Sequence, residues 1–222
     1  MRNRTENQVI LAFIRHGETQ ANKEHRYLGT TNESLSKEGV RQLLSYRKQG
    51  IYPDVQYLFT SPMKRCLESA RILYPEITPV IIPEWREIDF GRFEYKNYDE
   101  LKDDRQYQAW IDSGGTLAFP DGESRENFHL RCEKGFRRMC SMLCQSVDDG
   151  VEAPLRTALI VHGGTMMSLL SAYGIYHSPK EKKSYFDYQT INGRGYLCTM
   201  KKWYDGSALE KMEIQIEIEA DI

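Results

Sequence analysis

Short apolar runs alternate along this chain with stretches whose apolar positions recur every three or four residues. The runs predict strands, and the helical spacing predicts helices between them. The predicted strands cover residues 9–14, 54–60, 79–82, 156–161, 196–200 and 212–218, and the predicted helices cover residues 37–48, 63–73, 101–110, 123–147 and 166–173. This alternation favours an α/β fold, a three-layer α/β/α sandwich with a mostly parallel central sheet.

The strand predicted at 54–60 leads directly into a turn that is typical of a helix start. Ser61 is predicted to cap the next helix, and Pro62 to occupy its first helical position, where a missing N–H costs nothing. The end of this strand and the helix after it should therefore lie at one edge of the sheet. Ligands bind at that edge in open α/β sheets.

Composition limits the classes of function that this fold can serve. The 222 residues are 40% hydrophobic and 28% charged, which fits one globular domain spanning residues 1–222. A formal net charge of -2 gives no basic excess, so we expect neither nucleic acid nor an anionic membrane as a partner. No apolar run approaches the roughly 20 residues that span a bilayer, and the amino end does not fit a signal peptide, so we expect a cytoplasmic protein.

The five cysteines are not spaced as a metal site or a disulfide framework would require. Cys140 and Cys144 lie four residues apart in the predicted long helix. Small apolar residues on a buried helix face are a simpler interpretation of this pair than metal ligands. The pattern indicates no disulfide.

Cationic side chains follow three of the predicted strands at or just beyond their carboxyl ends. Arg15 and His16 follow the first strand, Arg65 the second, and His162 the strand at 156–161. Because such ends share one edge of a parallel sheet, we expect these four side chains to surround one pocket. A phosphoryl group would relieve their mutual repulsion. Taken singly, each has a simpler interpretation, as a loop residue, a solvated helix residue or a structural histidine.

Four sequence blocks resemble those of a known family, in the same order along the chain. The blocks are RHGET at 15–19 with Asn22 beyond it, TSPMKR at 60–65, WREIDFG at 85–91 and VHGG at 161–164. Together they resemble the signature of the histidine phosphatase superfamily, whose fold is phosphoglycerate mutase-like. The resemblance spans most of the chain.

The resemblance implies a reaction and assigns residues to it. His16 would be the nucleophile that forms a phosphohistidine, and Glu87 would donate a proton to the leaving alcohol. Arg15, Arg65 and His162 would complete the catalytic set, hold the phosphate oxygens and lower the pKa of His16. Further phosphate or substrate contacts are assigned to Asn22, Gly29, Thr30 and Gly163. Neither a metal nor another cofactor is implied, because the arginines take the place of a metal ion.

Two glutamates near Glu87 are alternatives for the acid. Glu84 follows Pro83 and is interpreted as a solvated residue. Glu94 stands where phosphatase branches of the family have a glutamate, but a glycine normally follows it there and Tyr95 follows it here. The match of the Glu-Ile-Asp-Phe-Gly block favours Glu87 as the proton donor.

The segment after the acid block bears on the branch of the family. Residues 91–123 form a modest connection without the extra segment by which mutases cover their pocket, so water should reach the phosphohistidine. The chain is similar to the alpha-ribazole phosphatase and broad-specificity phosphatase branch, and residues 85–150 are expected to form the helical cap side of the pocket. We therefore predict a metal-independent hydrolase of a small phosphorylated metabolite, with alpha-ribazole 5'-phosphate as one candidate.

Two other functions stay open at this point. A phosphoglycerate mutase, primed by a bisphosphate, would use the same residues to transfer the phosphoryl group. A noncatalytic phosphate-binding module would keep the arginines and lose the nucleophile or the acid, whereas here both are present. The chain does not decide between a monomer and a homodimer.

Overall fold

A single mixed sheet forms the centre of the molecule. The computed structural model describes residues 8–148, 150–151, 154–174, 184–201 and 215–222. Within those ranges, six strands are ordered β3-β2-β4-β1-β5-β6. They are β1 (Val9–Arg15), β2 (Tyr57–Thr60), β3 (Val80–Ile81), β4 (Leu155–Val161), β5 (Gly195–Lys201) and β6 (Gln215–Asp221). The strands β3, β2, β4 and β1 pair in parallel, and only β5 is antiparallel to its neighbours. The predicted mostly parallel sheet is confirmed.

Helices cover both faces of this sheet. They are α1 (Gln20–Lys23), α2 (Lys37–Lys48), α3 (Lys64–Leu73), α4 (Tyr98–Leu101), α5 (Arg105–Asp112), α6 (Arg125–Asp148) and α7 (Gly163–Tyr173). Side chains alternate between the two faces along a strand. Accordingly Leu11 and Phe13 of β1 share a buried cluster with α6 and α7, while Ala12 and Ile14 share another with α2 and α3. The three-layer arrangement follows from this alternation.

The register between the central strands brings distant motifs together. Arg15 is paired with Val161, so His16 and His162 each come directly after one of two neighbouring parallel strands. The main-chain N–H of His16 donates to the carbonyl of Val161 at 2.9 Å. On the other side of β4, the N–H of Ser61 donates to the carbonyl of Ile160 at 3.1 Å. The ends of β1, β4 and β2 therefore meet along one short edge.

Two predicted helix starts are wrong. Helix α3 begins at Lys64 rather than Pro62, and its capping residue is Met63, whose side chain makes no capping bond. The Ser61 hydroxyl is instead engaged with a histidine, because the end of β4 lies beside it. Helix α7 begins at Gly163, three residues earlier than predicted, so His162 is its capping residue.

The helix predicted at 101–110 is in fact two short helices, α4 and α5. The side chain of Asp104 accepts bonds from the main-chain N–H groups of Gln106 and Tyr107, and this cap starts a new helix where a continuous one was expected. Between β3 and α6 the described chain adds no strand. Aromatic side chains within this segment pack against one another instead, and the ring centroids of Phe93 and Tyr107 lie 5.3 Å apart.

Strand limits differ modestly from the predicted ones. The strand β2 begins at Tyr57 rather than residue 54, and β3 is reduced to two residues at the sheet edge. The last strand runs to Asp221, and residues 212–214 of the prediction lie outside the described residues. All five cysteines lie among the described residues, are buried and are not joined in disulfides, and this burial confirms the buried-face interpretation of Cys140 and Cys144. Among the described helices, none has the length and apolar character that a membrane span requires.

Candidate active site

His16 is buried at the end of β1, with only 3% of its surface exposed. Its Nδ1 lies 2.7 Å from the carbonyl oxygen of Gly17. Since a carbonyl oxygen only accepts, Nδ1 carries the proton of the neutral imidazole and Nε2 keeps its lone pair. The main chain thus presents His16 with Nε2 as the available nucleophilic atom.

A second buried imidazole faces the first. The rings of His16 and His162 meet edge to face with centroids 5.2 Å apart. The Nε of Arg65 donates to Nδ1 of His162 at 3.3 Å, and Nε2 of His162 lies 2.7 Å from the hydroxyl oxygen of Ser61. Because Nδ1 accepts, Nε2 carries the proton and donates to Ser61. Both rings therefore have a defined tautomer in the neutral state.

Arg65 projects from the first turn of α3 and is fully buried. Its guanidinium donates to the carbonyl oxygens of Leu28, Gly29 and Thr31 at 3.0 to 3.3 Å. Three dipoles from one loop hold the cation in a fixed orientation. No carboxylate is bonded to it in the described part of the chain, so its charge stays available to an anion in the pocket.

Arg15 is the second guanidinium at this edge. One of its terminal nitrogens donates to the carbonyl of Thr190, while its buried Nε has no acceptor among the described residues. A Cβ added at Gly163 would lie 3.5 Å from this Nε, so the arginine and the start of α7 are neighbours. A buried N–H without an acceptor is costly, and an anion in the pocket would supply one.

Burial and positive charge together keep the imidazoles neutral. Burial lowers the pKa of His16 well below its ordinary value, and Arg65 and then Arg15 lower it further. The pKa of His162 is also lowered well below its ordinary value, first by burial and next by Arg65. A neutral imidazole is the nucleophilic form, so the site is prepared for attack at neutral and mildly acidic pH.

The pKa of Glu87 is shifted in the opposite direction, upwards. Its Oε1 accepts the N–H of Ile88 at 3.0 Å, and its Oε2 lies 3.9 Å from Nδ1 of His162. Burial raises the pKa of Glu87, although the bond from Ile88 and the charges of Arg65 and Arg15 oppose the rise. A carboxyl group that stays protonated at higher pH can act as a proton donor. The two pKa values are thus shifted in opposite directions, which favours a neutral imidazole and a protonated carboxyl group in the same pocket.

The two alternative acids lie elsewhere. Glu94 accepts the main-chain N–H groups of Gly29 and Thr31 at 2.9 to 3.1 Å, which holds the loop that in turn binds Arg65. Glu84 is not a freely solvated residue, because its carboxylate lies 3.4 Å from Arg138 and its side chain is 19% exposed. The geometry thus favours Glu87 over both.

Tyr95 keeps the turn for which a glycine was expected. Its φ angle is +61°, in the left-handed region that glycine adopts without cost. Its main-chain N–H donates to the carbonyl of Tyr27 at 2.7 Å, and its hydroxyl donates to Glu33 at 3.0 Å. Tyr95 therefore adopts here a main-chain conformation that glycine would also adopt.

The four residues to which the resemblance assigns further phosphate or substrate contacts differ in their surroundings. Asn22 uses its side-chain oxygen within the protein, since it accepts from the N–H of Thr19 and from Asn192. The main-chain N–H of Gly29 donates to Glu94, and its carbonyl accepts from Arg65. Thr30, beside it, is exposed. Gly163 opens α7 next to Arg15, where a helix N-terminus favours an anion.

Sequence reasoning missed several residues that position the catalytic loop. The hydroxyl of Ser69 accepts the N–H of Gly17 at 2.9 Å and donates to the carbonyl of Arg65 at 2.7 Å, which ties the first two blocks together. Asn192 donates to the carbonyl of His16 at 3.1 Å and to the side chain of Asn22. Nothing in the sequence indicated these roles.

Comparison with known proteins shows the family to which this chain belongs. The sequence model of the histidine phosphatase superfamily (branch 1) matches residues 11–192. The chain is 28% identical over 163 residues to "Probable phosphoglycerate mutase GpmB" of Enterobacter sp. (strain 638), covering 72% of both chains. It is 32% identical over 135 residues to the adenosylcobalamin/alpha-ribazole phosphatase of Escherichia coli (strain K12), covering 58% of this chain and 66% of that protein.

Solved structures show the same fold. The alpha-ribazole phosphatase from Shigella flexneri superposes with a TM-score of 0.69 at 21% identity, over 96% of this chain and 94% of that one. A protein described as mycobacterial hydrolase 1 superposes with a TM-score of 0.73 at 21% identity, over 96% and 97% of the two chains.

Proposed function

Because this chain belongs to the histidine phosphatase superfamily (branch 1), we propose that it is a phosphomonoester hydrolase that works through a phosphohistidine on His16. Its relatives are named as phosphatases and as probable mutases. The observation that carries the proposal is the juxtaposition of a buried, neutral His16 with two guanidiniums and a carboxyl group of raised pKa. No metal or other cofactor enters the proposed reaction.

In the first step, Nε2 of His16 attacks phosphorus in line with the ester bond. The N–P bond forms as the P–O bond to the alcohol breaks, and the electron pair of that bond goes to the ester oxygen. Glu87 gives its proton to this oxygen, so the alcohol leaves neutral. The products of the step are a phosphohistidine and the Glu87 carboxylate.

In the second step, the Glu87 carboxylate takes a proton from water as the water oxygen attacks phosphorus. The P–N bond breaks, its electron pair returns to Nε2, and inorganic phosphate leaves. His16 is again neutral and Glu87 again protonated, so both groups are ready for another cycle. One carboxyl group serves as acid and then as base, as microscopic reversibility requires.

The cations hold the transferred group through both steps. Arg15 and Arg65 offer N–H donors to the phosphoryl oxygens, and the N–H of Gly163 adds a main-chain donor at the start of α7. These donors are fixed before the substrate binds, since Arg65 is oriented by three carbonyl groups and Arg15 by Thr190. Such preorganised donors stabilise charge in the transition state without having to reorient.

Hydrolysis is favoured over phosphoryl transfer by the segment over the pocket. Between Gly91 and Ser124 the described chain forms a 3₁₀ turn, the short helices α4 and α5 and connecting segments. Because the extra segment by which mutases of the family cover their pocket is absent from this stretch, we infer that water reaches the phosphohistidine. The substrate we propose is a small phosphorylated metabolite. Alpha-ribazole 5'-phosphate is a candidate because two relatives are named for that activity, and the relative named GpmB keeps the mutase as the alternative.

Release of inorganic phosphate tests the proposal. Purified protein in a chelating buffer should hydrolyse 4-nitrophenyl phosphate and a panel of phosphorylated metabolites without any bisphosphate primer. Acid-labile, base-stable phosphate should be trapped on the protein during turnover. Interconversion of phosphoglycerates that requires a bisphosphate would show a mutase instead, and phosphate binding without turnover would show a noncatalytic module.

A further inference from the structure

We propose that Arg131 is a positioning residue that holds the main chain of the proton donor Glu87, with Glu123 as its buried partner. This inference rests on the proposed function, because it concerns the residue that protonates the leaving group. Arg131 lies on α6, more than 40 positions after Glu87 in the chain, and its side chain is 15% exposed.

Three carbonyl oxygens around the proton donor accept bonds from one guanidinium. Arg131 donates to the carbonyls of Glu84 at 2.8 Å, Arg86 at 2.6 Å and Glu87 at 3.0 Å. The carbonyl of Glu84 belongs to a short 3₁₀ turn, and those of Arg86 and Glu87 belong to the residues that follow it. This stretch pairs with none of the described strands. A sheet cannot fix this stretch of main chain, so the fork of a single arginine does so.

The arginine is itself fixed by a bidentate ion pair. Its Nε and one terminal nitrogen donate to the two oxygens of Glu123 at 2.7 and 2.6 Å, and the Glu123 side chain is 11% exposed. The ring of Phe128 lies beneath the guanidinium, with its centroid 4.8 Å away. Two parallel bonds and a stacked ring leave the guanidinium one orientation. This fixes the carbonyls of Glu84 and Arg86, which accept from the other terminal nitrogen. It also fixes the carbonyl of Glu87, which accepts from the same terminal nitrogen that binds Glu123.

Glu123 also holds the chain beyond the proton donor. Its main-chain N–H donates to the carbonyl of Asp89 at 2.9 Å, and its carboxylate accepts the N–H of Asp89 at 3.4 Å. Arg131 and Glu123 therefore together hold the main chain from residue 84 to residue 89, and Glu87 lies between their contacts. Displacing this stretch would move the carboxyl group away from the ester oxygen and leave His16 where it is.

The position of Arg131 beside the main chain of Glu87 predicts that its loss slows some substrates more than others. A shifted Glu87 should slow the reaction of esters whose alcohol needs a proton, such as primary alkyl phosphates. It should matter little for 4-nitrophenyl phosphate, whose phenolate leaves without a proton. General loss of structure would instead slow both substrates alike.

The variants Arg131→Met and Arg131→Lys test this, with Arg138→Met as the matched control. Arg138 lies on the same helix and contacts Glu84, but through the Glu84 side chain and from a half-exposed position. We expect Arg131→Met to lose about 10- to 100-fold in kcat/KM on an alkyl phosphate and less than about threefold on 4-nitrophenyl phosphate. Arg138→Met should lose on neither substrate. Equal losses on the two substrates in Arg131→Met would overturn the proposal.

Combining variants shows whether Arg131 acts through Glu87. On the alkyl phosphate, Arg131→Met added to Glu87→Gln should cause no further loss, because the donor that Arg131 positions is already absent. Arg131→Lys keeps the charge but loses the fork, so it should lose nearly as much as Arg131→Met. Full additivity, or full rescue by lysine, would contradict the positioning role.

A titration keeps the proposal testable if the protein proves not to be a hydrolase. Absence of turnover by the wild-type protein would refute the proposed function alone. The side-chain carboxyl resonance of Glu87, followed by NMR from pH 3 to 9, should then titrate at a higher pH in Arg131→Met, since Arg131 lowers the pKa of Glu87. Glu123→Gln keeps the charge of Arg131 and removes the carboxylate that orients it. If Glu123→Gln and Arg131→Met both leave the titration of Glu87 unchanged, Arg131 does not hold Glu87.

Discussion

Two regions of the pocket are held in place by different means. The imidazoles of His16 and His162 directly follow β1 and β4, and the ladder of main-chain bonds between these strands fixes their separation. Glu87 lies in a segment without a strand, which side chains from other parts of the chain hold through its main chain. The proposed nucleophile thus depends on the sheet, and the proposed proton donor depends on a few charged contacts.

The difference suggests where the pocket tolerates change. Substitutions around the sheet edge should affect every substrate, because they alter the phosphate cradle itself. Substitutions around Glu87 should affect substrates according to how much their leaving group needs a proton. The predictions below are arranged to separate these two behaviours, and they run from the largest expected effect to the smallest.

His16→Ala should remove turnover of every phosphomonoester, with kcat falling at least about 10⁴-fold, because it removes the nitrogen that forms the N–P bond. His162 should not replace it, since its Nδ1 accepts from Arg65 and its Nε2 donates to Ser61. The measurement is phosphate release, together with trapping of the phosphoenzyme by an alkaline denaturing quench, under which phosphohistidine is stable. His25→Asn is the control, since His25 is exposed and its φ of +54° suits asparagine. Trapped phosphohistidine in His16→Ala would show that another histidine is the nucleophile.

Arg65→Lys should reduce kcat/KM by about 10²- to 10³-fold, and by a similar factor on alkyl and 4-nitrophenyl phosphates. Lysine keeps the charge but cannot reproduce the guanidinium that binds three carbonyls and His162 at once. Steady-state kinetics on both substrates checks this. Arg71→Lys, an exposed position on the same helix, should retain wild-type rates. A loss confined to the alkyl phosphate would place Arg65 with the proton donor.

Glu87→Gln should lose about 10²- to 10³-fold on an alkyl phosphate and far less on 4-nitrophenyl phosphate. In the wild-type protein we expect a bell-shaped pH profile of kcat/KM on the alkyl substrate. Its acidic limb should lie below the ordinary pKa of histidine, because His16 must be neutral, and its basic limb should lie above the ordinary pKa of glutamate, because Glu87 must be protonated.

The basic limb identifies the acid. It should vanish in Glu87→Gln and persist in Glu94→Gln, since Glu94 holds the loop at Gly29 and Thr31 rather than the ester oxygen. If Glu94→Gln abolishes the basic limb and Glu87→Gln keeps it, the roles of the two glutamates are reversed.

Gly164→Ala should cost about 10-fold on an alkyl phosphate, because its Cβ would come within 2.7 Å of the carboxyl oxygen Oε1 of Glu87. Gly163→Ala places its Cβ at an ordinary contact distance of 3.5 Å from Arg15, so the loss should be smaller. The kinetic comparison is made on both substrates. A larger loss in Gly163→Ala than in Gly164→Ala would mean that the first turn of α7 affects the cradle more than the acid.

Tyr95→Gly should be more stable than Tyr95→Ala by about 1 kcal/mol, because the main chain here has a φ of +61°. Both variants lose the tyrosine ring, so their difference reports the main chain alone. The same pair at Arg41, an exposed helical position, should show the opposite order. Urea unfolding measures the free energies, and an alanine variant as stable as the glycine variant would show that the turn relaxes.

The sequence by itself determined the fold class and the cations of the pocket. Each catalytic block follows an apolar run, and parallel strands carry their carboxyl ends to a common edge, so Arg15, His16, Arg65 and His162 could be placed together before any coordinates. The sheet limits and helix starts were less predictable, as Ser61 shows, because its hydroxyl serves His162 rather than the helix.

Only the tertiary structure decided how the acid is held and which forms the imidazoles take. The sequence match already favoured Glu87 over Glu84 and Glu94, and the structure adds the different surroundings of the three side chains. The tautomer of His16 depends on one carbonyl, and the position of Glu87 on a guanidinium from α6. Such contacts join residues far apart in the chain through single atoms, and they leave no periodic pattern, because periodicity records only which face of a helix or strand is buried.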